Sequence, residues 1–370
     1  MNVLICGAGI SGCSVSNILA NSGHKVTIID KKKHIGGLCY DGDMSGVKQI
    51  HKHGIHILRT NNDEVFKYLS KFTDWNLIEH TASSFIDGQY YPLPITRKTI
   101  NKFFKIDLAN EKELKNFVSH LSKNINLLDI TSDDSETYLL NGVGRLIYEK
   151  FFKPYTMKQW GIHPSELPSS ICARVPIRYT DDDRYFTQKY VGLPKEGYTE
   201  MLNKMLEHPN IKLILDADFK EFSDTYKESF DLIIYTGRID EYYNYKFGKL
   251  PFRSLRFETT NYQDTEYYQK TCQVNYPAIE FDYTRKIEIK HLTKQKCKNT
   301  VVVTEYPSMY GEPMYPIPIE DNIKLYQRYK CLADIEDNVL FIGRLSEYLY
   351  LDMHQAIEKA IILCKQINNG

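Results

Sequence analysis

The sequence lacks several features that would indicate a membrane, nucleic-acid or metal function. No apolar run in its 370 residues reaches the roughly 18 residues of a transmembrane helix, so we expect no membrane span. Its 47 Lys and Arg balance its 47 Asp and Glu, which predicts no nucleic-acid partner. None of the eight cysteines forms a CxxC pair, and we expect no metal site. With no signal peptide before the first strand, these features predict a reducing, cytoplasmic location.

What the sequence does have is a nucleotide-binding signature in its first 30 residues. An apolar run leads into a Gly-Ala-Gly-Ile-Ser-Gly turn, a helix-like segment and a second apolar run that ends at Asp30. This is the strand–turn–helix–strand–acid order of a dinucleotide-binding βαβ unit. Gly7 permits the tight turn, Gly9 lets the backbone approach a pyrophosphate, and Gly12 lets the helix pack on the strand. Ser11 in the turn is a further cofactor-binding candidate, and Asp30 is placed to accept from a ribose hydroxyl.

Features beyond this unit favour FAD over NAD as the resident cofactor. Lys31 follows the acid, and the pair Gly36-Gly37 comes soon after it, as is typical of the glutathione-reductase type of FAD domain. Later apolar runs end in Thr-Gly at Gly237 and in Gly-Arg at Arg344, which suggests strands that point toward the same cofactor. We see no second GxGxxG motif for a separate NAD(P)H domain.

The predicted fold is α/β: an FAD-binding Rossmann-like domain of the glutathione-reductase type with an inserted helical bundle and a twisted antiparallel β-sheet domain. We assign residues 1–78, 196–240 and 330–370 to the FAD domain and residues 97–172 to the bundle. Residues 79–96, 173–195 and 241–329 form the sheet domain. Apolar residues recur at helical spacing over 98–159, whereas 83–94, 174–192 and 253–316 alternate apolar and polar residues as antiparallel strands do.

Six short motifs resemble those of the bacterial UDP-galactopyranose mutase family. They occur in family order over nearly the whole chain, at 34–37, 54–57, 155–161, 174–178, 283–285 and 350–353, with the sequences HIGG, GIHI, YTMKQWG, RVPIR, YTR and YLDM. The motifs YTMKQWG, YTR and YLDM in combination are specific for this family. The resemblance implies FAD that is active when reduced, a UDP-sugar substrate and a homodimer.

The activity implied by the resemblance interconverts the pyranose and furanose rings of a UDP-galactose-type sugar. In the family, N5 of the flavin attacks the anomeric carbon and UDP leaves, and the furanose product supplies cell-surface or capsular polysaccharide. UDP leaves without protonation, so the chemistry needs cationic support for the diphosphate rather than a catalytic acid.

The resemblance also implies roles for individual residues. The catalytic candidates are Arg174 and Arg285, which match the diphosphate arginines, and His56, which matches a histidine beside the flavin. The substrate-binding candidates are Phe151, Phe152, Tyr155, Thr156, Trp160, Tyr185, Asn275, Tyr315 and Tyr350. The remaining cofactor candidates near the flavin are Gly37, Arg344, Asp352 and Met353. From the residues alone, core packing for Trp160, a surface salt bridge for Arg174 and a helix cap for Asp352 stay open.

Two positions depart from the family pattern near the sugar. Arg59 stands where the family commonly has a histidine, and His80 stands where it has an asparagine. Arginine is longer and carries several donors, so it would reach an acceptor that galactose lacks, such as the acetamido carbonyl of UDP-N-acetylgalactosamine. The alternative is neutral drift, with Arg59 turned toward a carboxylate.

Two other functions compete with a mutase. The first is an FAD-dependent oxidoreductase of the amine-oxidase type, which does not explain arginines and tyrosines directed at a diphosphate. The second is a non-catalytic flavin or nucleotide-sugar binding protein, which does not require His56, Arg174 and Arg285 together.

Overall fold

The computed structural model describes residues 1–123, 133–226 and 229–369. The strands of these ranges are β1 (Asn2–Cys6), β2 (Lys25–Asp30), β3 (Asp41–Met44), β4 (Val47–His51), β5 (Leu58–Thr60), β6 (Trp75–Leu77), β7 (Ala82–Ile86), β8 (Gln89–Leu93), β9 (Tyr190–Pro194), β10 (Ile211–Leu215), β11 (Leu232–Tyr235), β12 (Phe252–Tyr262), β13 (Gln273–Asn275), β14 (Arg285–Ile287), β15 (Thr300–Ser308), β16 (Tyr315–Pro316) and β17 (Val339–Phe341).

The α-helices of the same ranges vary from one turn to nearly five. They are α1 (Ile10–Asn21), α2 (Asp63–Leu69), α3 (Arg97–Phe104), α4 (Glu111–Lys123), α5 (Ser135–Ile147), α6 (Lys153–Trp160), α7 (Ser169–Cys172), α8 (Tyr198–Leu206), α9 (Phe219–Tyr226), α10 (Ile239–Tyr242), α11 (Lys290–Thr293), α12 (Glu320–Ala333) and α13 (Met353–Asn369). A π-helical turn, Tyr148–Phe152, joins α5 to α6.

A parallel sheet of order β10-β2-β1-β11-β17 forms the first layer of the described structure. Its central strand β1 is apolar and buried on both faces, as parallel strands covered by helices are. Helices α1, α8 and α13 contribute buried apolar residues to the same core as β1. This sheet joins the beginning, the middle and the end of the chain.

The glycine turn after β1 requires its glycines for steric reasons. Gly7 has φ of 108°, a conformation that favours glycine, and a Cβ added there would lie 2.1 Å from Thr236 Oγ1. A Cβ on Gly12 would lie 1.9 Å from the Gly7 carbonyl oxygen, so only glycine lets α1 start so close to β1. Gly9 precedes α1, and no side chain caps the helix, which leaves its first N–H groups open to a ligand.

The second sheet has the order β16-β12-β15-β14-β13-β7-β8 in the described residues. Its neighbours pair antiparallel, with the exception of β13 and β7, which are parallel. Smaller sheets join β3 to β4 and order β5-β9-β6. The predicted strands over 83–94 and 253–316 are therefore present in this sheet, and one pair is parallel. A parallel pair is possible there because β7 and β13 lie far apart in sequence and need no tight turn.

Helices α3, α4, α5 and α6 occupy the region predicted to be helical, with Leu114, Val118, Leu139 and Ile147 in a shared apolar core. Residues 124–132 of the predicted bundle lie outside the described residues. The strand prediction over 174–192 was wrong, because only β9, from Tyr190, is a strand there. Polar side chains of the segment before β9 form ion pairs instead. Arg184 pairs with Asp182, and Asp181 pairs with Arg97 of α3.

Candidate active site

A cavity of about 610 Å³ lies at the carboxyl ends of the parallel strands. This is the position where open α/β sheets bind their ligands. Of the predicted cofactor residues it is lined by Gly7, Gly9, Ser11, Asp30, Lys31, Gly37, Gly237, Arg344 and Met353. Gly12 lies behind the turn, where it sets the distance between α1 and β1.

Asp30 holds the glycine turn as well as facing the cavity. One carboxylate oxygen accepts from the backbone N–H of Ala8 at 2.8 Å and the other from that of Lys32 at 2.8 Å. Each oxygen keeps a lone pair for a ribose hydroxyl. Gly37 packs against Gly9, and a Cβ on Gly37 would lie 3.1 Å from the Gly9 Cα. Two glycine backbones, an open helix N-terminus and an acid fit the pyrophosphate and ribose of FAD.

A second cavity of about 240 Å³ adjoins the first. Its wall brings together predicted residues that are far apart in sequence, namely His56, Arg59, His80, Tyr155, Trp160, Arg174, Tyr185, Asn275, Arg285, Tyr315, Arg344, Tyr350, Asp352 and Met353. The two cavities share His56, Arg344 and Met353, so they meet at these side chains. The second cavity is therefore continuous in its lining with the first at these three side chains.

His56 is neutral at this junction. Burial, together with nearby His51 and Arg344, lowers the pKa of His56 to about 3. Its Nδ1 lies 2.9 Å from the carbonyl oxygen of Gly54, and because a carbonyl only accepts, Nδ1 carries the proton. Nε2 is then an acceptor, so His56 can receive a hydrogen bond but holds no charge.

Asp352 joins two of the cationic side chains in the second cavity. Its carboxylate accepts from Arg59 Nη2 at 2.6 Å and from Arg174 Nη2. The Arg174 guanidinium also lies over the Tyr350 ring, 3.7 Å from its centroid, and that of Arg59 lies 4.5 Å from the Phe186 centroid. Asp352 therefore orients two arginines, one with each carboxylate oxygen, and its side chain accepts from no backbone N–H of α13 in the described residues.

Arg285 lies on β14 of the second sheet, and its ion-pair partner is a different carboxylate from that of Arg59 and Arg174. Its Nε donates to Glu305, a carboxylate with no exposed side-chain area. Burial alone would lower the pKa of Arg285, but the Glu305 charge raises it well above its usual value. The guanidinium is therefore a permanent, fixed cation at the cavity wall.

Aromatic rings form one side of the same cavity. Trp160 lies 6.1 Å from Tyr315 and 6.2 Å from Tyr350, and Tyr315 lies 5.1 Å from Tyr350, between ring centroids. Burial raises the pKa of Tyr155, Tyr185 and Tyr315, so their hydroxyl groups stay neutral donors. This wall combines apolar faces with hydroxyl donors, which suits a base and a diphosphate.

His80 is the second departure from the family pattern, and it is 1 % exposed. Burial lowers its pKa to about 4, with Gln273 opposing and Arg285 adding to the shift. Its Nδ1 has no hydrogen-bond partner among the described residues. A buried polar atom on a cavity wall without a partner is available to a ligand.

Three predicted substrate residues do not reach the wall. Phe151 and Phe152 lie in the apolar core of the helical region, at 5 % and 6 % exposure. Thr156 is also buried and lies against Cys172, with 3.6 Å between Oγ1 and Sγ. Helical spacing alone would put Phe151 and Phe152 on the same face as Tyr155, so tertiary packing, and not the spacing, places these rings in the core.

The structure adds wall residues that the sequence reasoning missed, namely His53, Gln159, Phe186, Gln273 and His354. Gln159 sits inside the YTMKQWG motif, which was a signal for it. No local motif indicated Phe186 or Gln273. Folding brings Phe186 to the wall from the segment before β9 and Gln273 from β13.

A Rossmann-like sheet with a glycine-lined cavity, joined to a second cavity rich in arginine and tyrosine, defines a flavoprotein that acts on a nucleotide-linked ligand. The sequence pattern of the UDP-galactopyranose mutase family matches residues 150–350, and that of a NAD(P)-binding Rossmann-like domain matches residues 5–72. The chain is 36% identical over 365 residues to a probable UDP-galactopyranose mutase of Klebsiella pneumoniae, covering 97% of this chain and 93% of that protein.

Two further comparisons agree. A dTDP-fucopyranose mutase of Escherichia coli is 35% identical over 370 residues, covering 97% of this chain and 96% of that protein. A crystal structure of reduced UDP-galactopyranose mutase shares the fold with a TM-score of 0.77 at 14% identity, covering 100% of this chain and 95% of that one.

The chain belongs to the UDP-galactopyranose mutase family. It is a flavin-dependent sugar mutase, and therefore an isomerase, with FAD as its cofactor. Over the three described ranges, no helix has the length and apolar character to cross a bilayer.

Proposed function

We propose that this mutase interconverts the pyranose and furanose forms of a UDP-galactose-type sugar. The observation that carries the proposal is the meeting of the two cavities at His56, Arg344 and Met353, with Arg174 and Arg285 on the wall of the second cavity. If the sugar lies at this junction, its diphosphate lies in the second cavity, near Arg174 and Arg285. This arrangement supports chemistry at the anomeric carbon, where the diphosphate leaves.

When FAD is bound in the first cavity, lined by Gly7, Gly9 and Asp30, its reduced form would supply a nucleophile for the anomeric carbon as UDP leaves. Arg174 and Arg285 bind the diphosphate and stabilise the charge that develops as it departs. A guanidinium fork fits phosphate oxygens, and the buried Glu305 holds Arg285 in place. The diphosphate competes with Asp352 for Arg174, because both are anions that the same guanidinium can bind.

The aromatic wall binds the uridine and screens the diphosphate from water. Trp160 and Tyr155 offer faces for the base, and Tyr185, Tyr315 and Tyr350 offer hydroxyl groups to the phosphates. Asn275 and His80 on the cavity wall would bind sugar hydroxyls, and the proposal is supported by the Nδ1 of His80, which has no partner in the described residues. Neutral His56 presents an acceptor beside the flavin and adds no charge that would compete with the arginines.

Arg59 supports acceptance of UDP-N-acetylgalactosamine in addition to UDP-galactose. Within the described residues its guanidinium donates to Asp352 through Nη2 alone, whereas arginine has five N–H donors. The remaining donors are free for a neutral carbonyl such as that of an acetamido group. Asp352 and the Phe186 ring hold the side chain in the cavity wall, which lowers the entropy cost of such a contact.

Chromatography of sugar products tests the mutase proposal. Dithionite-reduced, FAD-loaded protein is incubated with UDP-galactose, UDP-N-acetylgalactosamine and dTDP-fucose, and with oxidised protein as the control. We expect furanose products from both UDP-sugars in the reduced sample only, with no stoichiometric NADPH consumption. Steady NADPH oxidation matched to turnover would favour the amine-oxidase type of enzyme, and absence of product from every sugar would leave only a binding protein.

The Arg59→His variant tests the sugar specificity. A hydrogen bond from a charged donor contributes about 1.5–3 kcal/mol, so kcat/KM for the acetamido sugar should fall about tenfold to a hundredfold. The kcat/KM for UDP-galactose should change little. An equal fall for both sugars would show that Arg59 serves Asp352 or the diphosphate and does not read the C2 substituent.

We also propose a cytoplasmic homodimer. The location is supported by the eight cysteines, none of which forms a disulfide. The dimer follows from the family resemblance, and sedimentation of the FAD-loaded protein tests it. A monomer at micromolar concentration would contradict the proposal.

A further inference from the structure

Lys158 makes an unusual set of hydrogen bonds outside the substrate cavity. Its ammonium group lies near four backbone carbonyl oxygens of one loop, those of Tyr276, Ala278, Phe281 and Tyr283, at 2.6, 2.8, 3.0 and 2.9 Å. An ammonium has three N–H donors, so the four acceptors share them. The loop is thus folded around a single cation from another part of the chain.

The ends of this loop carry two wall residues of the second cavity. The loop leaves β13 at Asn275 and enters β14 at Arg285, and both side chains face the substrate cavity. Lys158 lies on α6, between Tyr155 and Trp160, which line the same cavity. One lysine therefore joins the helix on the base-binding side to the loop that aims the diphosphate arginine.

Neighbouring contacts reinforce the same junction. Gln159 accepts from the Thr284 hydroxyl at 3.1 Å, next to Arg285. Arg253, from β12, donates to the carbonyl oxygens of Gln159 and Lys158 at 2.8 and 2.9 Å, which caps the end of α6. The end of α6 is consequently fixed to the second sheet on two sides.

We propose that Lys158 is a positioning residue for substrate binding: it holds the 276–283 loop so that Arg285 and the aromatic side of α6 bind one nucleotide diphosphate together. Lys158 touches no substrate and acts through Arg285. Without the ammonium group, the four carbonyls lose their common donor and the loop gains freedom that substrate binding must remove. The proposal rests on the assignment of Arg285 to the diphosphate.

A double-mutant cycle separates positioning from a general structural role. The variants are Lys158→Met, Arg285→Ala and the combination of the two, and UDP affinity is measured by calorimetry on FAD-loaded protein. Lys153→Met is the matched control, since Lys153 lies on the same helix and pairs only with Glu149 among the described carboxylates. Flavin absorbance and thermal unfolding are recorded for every variant.

We expect Lys158→Met to weaken UDP binding about tenfold, with the loss in KM rather than kcat and with Lys153→Met unchanged. In the Arg285→Ala background the added loss from Lys158→Met should disappear, because coupled residues are not additive. Additive losses, or unchanged UDP affinity in Lys158→Met, would overturn the inference. Unchanged UDP affinity in Arg285→Ala alone would overturn the diphosphate assignment instead.

Discussion

The two cavities of this protein are built in opposite ways. The cofactor cavity is shaped by backbone, with Gly7, Gly9 and Gly37 in close approach and Asp30 holding two amides. The substrate cavity is shaped by side chains, chiefly arginine and tyrosine. A side chain added at one of the glycines should therefore abolish cofactor binding. Loss of an arginine charge should instead impair the substrate cavity and leave the cofactor cavity intact.

Gly12→Ala gives the largest expected effect and tests the first half of this comparison. Its Cβ would lie 1.9 Å from the Gly7 carbonyl oxygen, a backbone atom that cannot move aside as a flexible side chain can. We expect purified protein without flavin absorbance and with stability lowered by about 1–3 kcal/mol or more. The control is Gly42→Ala, whose Cβ would meet Lys52 only at 3.9 Å. A yellow Gly12→Ala protein would contradict the role of this glycine.

Arg174→Ala and Arg285→Ala test whether the substrate cavity depends on its charged side chains. Each should keep its flavin absorbance, because neither guanidinium lines the cofactor cavity. Turnover should fall by about 10²–10³, as on loss of a donor to developing charge. Arg256→Ala serves as the control, since Arg256 pairs with the exposed Glu258. Turnover near that of the unmodified enzyme would show that the arginine is assigned wrongly.

A smaller effect concerns pH. Burial lowers the pKa of His80 to about 4, against about 6.5 in an unfolded chain. The unfolded state binds the proton first as pH falls, so stability decreases from pH 6.5 toward pH 4. His80→Asn should lose less stability than the unmodified protein between pH 7 and pH 5, by on the order of 1–2 kcal/mol.

Thermal unfolding at the two pH values measures this difference. His120→Asn, at an exposed position on α4, is the control and should follow the unmodified protein. The same stability loss in His80→Asn would mean that other buried groups, such as His51 and His56, account for the acid sensitivity.

The same contrast explains what the sequence could predict. The cofactor cavity depends on local spacing, so the glycine turn and Asp30 were identified from the first 30 residues. The substrate cavity depends on side chains from distant segments, and the family motifs were needed to find Arg174 and Arg285. Gln273 and Phe186 belong to no motif and emerged only from the folded chain.

Two features of the structure depend on contacts that the local sequence pattern does not reveal. Phe151 and Phe152 lie beside the right motif, yet the π turn directs both rings into the helical core. Residues 174–189 alternate polar and apolar side chains as a strand would, but most of their charged groups are used in ion pairs and loop contacts. Both outcomes depend on tertiary contacts that override spacing.

The strand order also has a consequence for how the protein is made. Strands β10, β11 and β17 join β1 and β2 from far along the chain, and α13 packs on α1. Gly343, Arg344 and Met353 line the cofactor cavity, and synthesis reaches them more than 300 residues after the Gly7 turn. The nascent chain therefore presents the Gly7 turn long before the cavity around it exists, so cofactor loading follows synthesis of the segment from Gly343 to Met353.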